Sequence, residues 1–233
     1  MRTAFLFTCE HGGNRIPARY RPLFAGRRAL LDSHRGFDPG ALVMAKALAR
    51  AFDAPLAAAT VSRLLVDLNR SLGHRQVFSP MTRAAPAALR ARIVDEHYRP
   101  HRAEVERRVR AEVARGRRVI HVASHSFTPV LDGVVRTADV GLLYDPRRRG
   151  ESALCARWKH ALAVRAPALR VRRNYPYAGK ADGLTSYLRT RFDPAAYVGV
   201  ELEISQRIVA AGAPQFPALR RVLIAALRSA AAP

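Results

Sequence analysis

The sequence predicts an α/β fold: a single-domain, three-layer sandwich with a mixed central sheet and helices on both faces. Three observations lead there. Short runs rich in Val, Ile, Leu and Phe alternate with helix-period segments from end to end, the pattern of a parallel or mixed sheet covered on both sides. The 233 residues suffice for one full hydrophobic core. No Ser- or Gly-rich linker and no internal repeat divides them, so residues 1–233 read as one domain.

The elements follow in order. Ala4–Thr8 is a short apolar strand. It runs into Cys9-Glu-His-Gly-Gly-Asn14, where paired glycines allow a tight turn and close approach of a ligand to the backbone. Asp38-Pro39 is a helix-start signal, and Leu42, Ala45, Leu48 and Ala49 give an apolar face as far as about Ala51. Leu56–Thr60 and Val61–Leu68 read as strands. Ala84–Arg115 reads as helix with Arg and Glu on its wet face. Arg118–Ser124, carrying Val119, Ile120 and Val122, is a strong strand that ends at His125. Asp139–Tyr144 is another strand, followed by an Asp145-Pro146 turn. A helix over about Ser152–Val164, a strand over Leu169–Arg173 and a helix over Thr185–Arg191 come next. Tyr197–Ile204 alternates as a strand, and Gln215–Ala230 closes the chain as an amphipathic helix.

Composition narrows the function. A hydrophobic content of 49% excludes general disorder. The net charge of +22 is the outlier, and only three of the 40 basic residues are lysine (Lys46, Lys159, Lys180). A basic nucleic-acid-associated protein without catalysis is one reading of that charge. However, the arginines are scattered among alanines, with no zinc-finger spacing, no aromatic ribonucleoprotein motif and no basic tail. Biased codon usage accounts for such an Arg-Ala-rich chain without a nucleic-acid partner. Cys9 and Cys155 make no disulfide framework. The N-terminal apolar run is too short for a signal peptide, and no stretch approaches the roughly 20 apolar residues a membrane span requires. A cytoplasmic protein is the expectation; oligomeric state is left open.

The chemistry gathers at predicted strand ends, where open α/β sheets bind ligands. His11 follows the first strand and His125 ends another, Glu201 and Glu203 share one face of Tyr197–Ile204, and Asp38 opens a helix. Two histidines and a carboxylate make a three-ligand zinc site with a position open for water, and a further carboxylate can take that water's proton. No His-Glu-x-x-His motif and no phosphate-binding Gly-Lys-Ser/Thr loop is present. The segment Ser62-Arg-Leu-Leu-Val-Asp-Leu-Asn-Arg70 sets Arg63, Asn69 and Arg70 within or beside an apolar run. Such guanidinium groups need a partner. The partner is either a carboxylate or phosphate ligand, or Asp67 in a structural ion pair.

Five ordered segments carry a resemblance: Thr8-Cys-Glu-His-Gly-Gly-Asn-Arg-Ile-Pro17, His34-Arg-Gly-Phe-Asp-Pro-Gly-Ala41, Ser62 to Arg70, Ser124-His-Ser-Phe-Thr-Pro129 and Gly199-Val-Glu-Leu-Glu-Ile-Ser-Gln206. Together they resemble the N-formylglutamate amidohydrolase family over nearly the whole chain. Asp-Leu-Asn-Arg is also similar to the substrate-carboxylate motif of the more distant zinc carboxypeptidases and aspartoacylases. The resemblance implies a phosphorylase/hydrolase-like fold and a zinc-dependent hydrolase of linear amide bonds. Its substrate would be a small anionic N-formyl or N-acyl amino acid such as N-formylglutamate. His11, Asp38 and His125 would bind one zinc ion, and Glu203 would be the general base. Arg63, Asn69 and Arg70 would hold the substrate carboxylate, with Asn174 and Gly179 in a substrate-binding loop. The chain departs from the distant relatives at Asn14, where they carry a glutamate ligand. Asp38 is the expected replacement and Glu10 its competitor. The alternative within hydrolases is a zinc peptidase or cell-wall amidase acting on larger amides.

Overall fold

In the computed structural model, which describes residues 2–209 and 213–232, the apolar runs form one six-stranded mixed sheet. The strands of the chain are β1 (Thr3–Cys9), β2 (Leu56–Ala58), β3 (Arg118–Phe127), the small hairpin β4 (Val130–Leu131) and β5 (Val134–Val135), β6 (Val140–Leu143), β7 (Val171–Arg173) and β8 (Tyr197–Ser205). The sheet order is β2-β1-β3-β8-β6-β7, and β4 pairs only with β5. β2, β1, β3 and β8 run parallel; β6 is antiparallel to β8 and parallel to β7. The carboxyl ends of β1, β3 and β8 therefore lie side by side. Nine consecutive residues of β3, from Val119 onward, are buried, as befits a central strand covered on both faces.

The helices are α1 (Arg28–Leu31), α2 (Ala41–Phe52), α3 (Pro80–Arg83), α4 (Ala87–Ile93), α5 (Arg99–Ala114), α6 (Arg149–Arg165), α7 (Leu184–Arg191), α8 (Gln206–Val209) and α9 (Gln215–Ala231), with a 3-10 turn at Ala18–Phe24. Side-chain alternation along the strands divides the core. Phe7, Ile120, Val122 and Val200 join Met44 and Leu48 of α2, Trp158 of α6 and Leu223 of α9 on one face. Leu6, Val119 and Tyr197 join Val105 and Val109 of α5 and Leu184 and Leu188 of α7 on the other. Each fully buried Leu, Val or Phe contributes about 1.5–3 kcal/mol by leaving water.

Three segments differ from the sequence expectation. Val61–Leu68 is not a strand. Val61 forms an isolated bridge with Arg15, and the backbone then turns, with Leu65 N–H bonded to Ser62 O, Arg63 N–H to Gly36 O and Asp67 N–H to Val77 O. The run is apolar because Leu64, Leu65, Val66 and Leu68 fill a smaller core with Ile16, Tyr20 and Ile93. The long helix of Ala84–Arg115 begins only at Ala87, after Pro86, and passes through a π-helical segment, Val94–Tyr98. There the Arg99 N–H reaches back to Val94 O. This wider turn gives room where Pro100 lacks an N–H and would crowd the carbonyl four residues earlier. Finally, α2 starts at Ala41 rather than at Asp38-Pro39, since Gly40 stands in the left-handed region at φ 77°. The turn frees Asp38 to point inward, its N–H bonded to His11 O.

Candidate functional site

The site lies at the carboxyl ends of β1, β3 and β8, on the face of the sheet covered by α5 and α7. His11 follows β1 directly. Its turn depends on Gly12 and Gly13, where a Cβ would stand 2.8 Å from Ala59 O and 2.7 Å from Thr60 O. The close approach that these glycines permit is thus to the chain's own backbone, not to a ligand. His125 lies on β3 beside Glu203 of β8 in the sheet register. Period-two alternation puts Glu201 on the same face as Glu203. Asp38 arrives from the loop before α2.

His11, Asp38 and His125 converge: one donor atom from each lies within 4.8 Å of the others, and all three side chains are buried. Asp38 Oδ2 is 3.0 Å from His125 Nδ1 and 3.3 Å from His11 Nδ1. The opposite nitrogen of each ring also faces a carboxylate. His11 Nε2 is 2.7 Å from Asp67 Oδ1, and His125 Nε2 is 3.0 Å from Glu10 Oε2. Glu10 therefore sits behind His125, while Asp38 stands with both histidines. Burial works to raise the Asp38 carboxyl, but His11, His125 and Arg63 hold it well below the usual range. Burial likewise works against a charged His125, and Asp38 and Glu10 overcome it to raise its pKa. At Glu203 the balance is reversed, because burial outweighs the pull of His125 and Arg63, and Asp38 and Glu201 add to it. Burial pushes it up to about 8, and its Oε2 has no hydrogen-bond partner among the described residues.

The three residues expected to form a clamp divide. Arg63 is engaged by two carboxylates, Nη2 lying 2.8 Å from Asp67 Oδ2 and Nη1 3.3 Å from Asp38 Oδ1. The structural ion pair is what forms at that residue. Asn69 and Arg70 line a cavity of about 170 Å³ together with His11, His125 and Glu203. Asn69 Oδ1 accepts from Leu184 N–H at 2.7 Å, and Arg70 Nη1 donates to Asp182 O at 2.7 Å. The Arg70 carbonyl is itself braced by Tyr98 Oη at 2.7 Å and Arg102 Nη2 at 2.8 Å.

Asn174 and Gly179 do not line this cavity. Asn174, at φ 51°, uses Oδ1 to accept from Tyr144 N–H and Gly179 N–H, and a Cβ on Gly179 would stand 2.0 Å from Tyr144 N. They shape a loop whose Tyr177, Ala178, Ala181 and Asp182 reach the cavity instead. Sequence reading missed these wall residues, along with Ser126 and the contacts of Glu10 and Asp67 to the two imidazoles. A carboxylate next to His11 and one inside the Arg63 segment were the available signals.

Comparison with known proteins bears on the family and the fold. A family model described as N-formylglutamate amidohydrolase matches residues 3–210. Among solved structures, a gene product from Agrobacterium tumefaciens is 31% identical, with 97% of this chain and 90% of that chain covered at a TM-score of 0.80. An N-formylglutamate amidohydrolase from Ralstonia eutropha is 21% identical, with 98% and 93% covered at a TM-score of 0.71, a likeness of fold. Among curated proteins, none matches.

Proposed function

The chain belongs to the N-formylglutamate amidohydrolase family, and on that premise we propose that it hydrolyses the amide of an N-formyl or N-acyl amino acid such as N-formylglutamate, using one zinc ion held by His11, Asp38 and His125. The convergence of those three donors beside the unpartnered Glu203 carries the reading. The donor set fits zinc, which takes imidazole nitrogen and carboxylate oxygen and keeps a fourth position open in catalytic sites. The carboxylates behind each ring fit as well, because a ligating imidazole is oriented by a partner on its other nitrogen. Residues 1–233 are read as one domain serving this one centre.

When bound, zinc supplies polarisation of the amide carbonyl and a lowered pKa for water. The side chains do the rest. Glu203 takes the proton from the attacking water. Burial raises the Glu203 carboxyl, which makes it a stronger base than an ordinary glutamate. The C–O bond forms, the C–N bond breaks, and Glu203 returns the proton to the departing amine. Arg70 holds the substrate carboxylate, with Asn69 beside it, and keeps the amide at the donors. Arg63, tied to Asp38 and Asp67, chiefly fixes the ligand carboxylate and the partner of His11, with a smaller share in the clamp.

The test couples metal analysis to turnover of N-formylglutamate. Purified enzyme is expected to hold one zinc per chain. Glu203→Gln should retain that zinc and lose at least about 100-fold in kcat, within the usual range for a general base. Undiminished turnover in Glu203→Gln would remove it from the role.

A further inference from the structure

Asp38, the donor that both histidines face, stands in a partition between two cavities, while His11 and His125 line only the inner one. The inner one is about 170 Å³ and contains Arg70, Asn69 and Glu203. The outer one is about 670 Å³, some four times larger, and opens toward Arg35, Arg75 and Leu131. Asp38, Arg63, Ser126 and Tyr177 line both. Tyr177 is fixed in the partition by Arg136, whose guanidinium lies 4.9 Å over its ring and donates to its hydroxyl at 3.0 Å. An amide set against Asp38, between the shared wall residues, reaches into both cavities. The amine half belongs with the proton donor, and Glu203 lines only the inner cavity. The acyl half then faces the outer one. A formyl group ends in a hydrogen and has no use for that space.

We propose that the outer cavity is an acyl subsite, and that it takes a short aliphatic acyl chain ending in a carboxylate. This rests on the amidohydrolase reading above and names its substrate class. The aliphatic requirement comes from Phe78, Phe127 and Leu131 in the wall. The anionic requirement comes from Arg35 and Arg75, which form no ion pair among the described residues and lie exposed at the cavity. The carboxylates that also line it, Asp38 and Asp67, are engaged by Arg63, His11 and His125. An incoming anion thus meets free guanidinium groups rather than saturated ones. Hydrolysis of such a substrate consumes one water, breaks the C–N bond and releases a free amino acid and a dicarboxylate.

Three glutamate derivatives test this with zinc-loaded enzyme: N-formyl, N-pentanoyl and N-glutaryl. The last two share a five-carbon acyl chain and differ at its end, a methyl against a carboxylate. The glutaryl derivative is expected to exceed the other two in kcat/KM, by at least tenfold over the pentanoyl. In the Arg35→Ala/Arg75→Ala double variant the glutaryl-to-pentanoyl ratio should fall to near one, and pentanoyl cleavage reports that the variant is folded. Cleavage of the formyl derivative without the glutaryl one overturns the acyl subsite and leaves the deformylase reading standing. A glutaryl preference that survives the double variant overturns the arginine assignment. Failure on all three substrates by zinc-loaded enzyme overturns both readings.

Discussion

Arg63 and Arg70 look alike in the sequence, two arginines flanking the same apolar run. Their environments separate them. Arg63 is neutralised by Asp38 and Asp67, whereas the Arg70 guanidinium, among the described residues, meets only a backbone carbonyl and keeps donors for a guest. Charge-assisted hydrogen bonds to one ligand are worth about 1.5–3 kcal/mol. Arg70→Ala is therefore expected to raise KM for N-formylglutamate roughly 10- to 100-fold with little change in kcat, since the carboxylate is held equally before and during reaction. Steady-state kinetics decide it, and a fall in kcat at unchanged KM counts against the clamp. The residue types were legible as motifs, and the structure brings His11, Asp38 and His125 together with Glu203 in the same cavity wall. Their pairings were not. Which carboxylate backs which imidazole depends on how loops 10–14, 34–40 and 61–70 meet, and no local spacing encodes that.

The strands that position the site could be read directly, because β1, β3 and β8 are apolar runs bounded by polar residues and turns. Val61–Leu68 has the same apolar density and became a turn, because density reports burial and not backbone conformation. Glu151 is a second case. In the sequence it is an acidic residue near a helix start, the usual place for a solvated one. In the structure it is fully buried, its Oε1 3.2 Å from Arg148 Nε on the same chain segment and 3.0 Å from Arg189 Nε on α7. It also accepts from Asp145 N–H and Gly199 N–H, so it joins α6, α7 and β8. Removing one partner of a buried ion network costs about 3–5 kcal/mol. Glu151→Gln should lower the unfolding temperature by roughly 10 °C in a chain of this size. An unchanged thermal transition would show that the network carries no net stability.

Across the molecule, interleaved strands and helices announced a covered sheet, but strand order is a matter of long-range pairing and was not legible. One buried residue spans that pairing. His121 on β3 contacts Thr8 Oγ1 of β1 at 2.8 Å and Tyr197 Oη of β8 at 2.7 Å. Burial lowers its pKa to about 4, so the folded protein keeps it neutral while an unfolded chain protonates it near 6.5. Between those values the unfolded state binds more protons, and stability falls as pH falls. The loss is on the order of 3 kcal/mol once pH has passed from above 6.5 to 4. Denaturant unfolding at pH 7 and pH 4.5 measures it, and His121→Gln should flatten the dependence in that window. Equal slopes in both proteins would acquit His121.

The π-helical segment at Val94–Tyr98 bears on how this family member can change length. One residue beyond a regular α-helix is accommodated there, directly before Tyr98 and Arg102, which brace the Arg70 carbonyl. Deleting that residue would restore ordinary helical hydrogen bonding and rotate one side of the join by about 100° relative to the other. Tyr98 and Arg102 could then no longer both face Arg70. A lineage that tidied this helix would gain a more regular scaffold and lose the alignment of its anion-binding arginine, so the irregularity is a place where shortening and function pull in opposite directions.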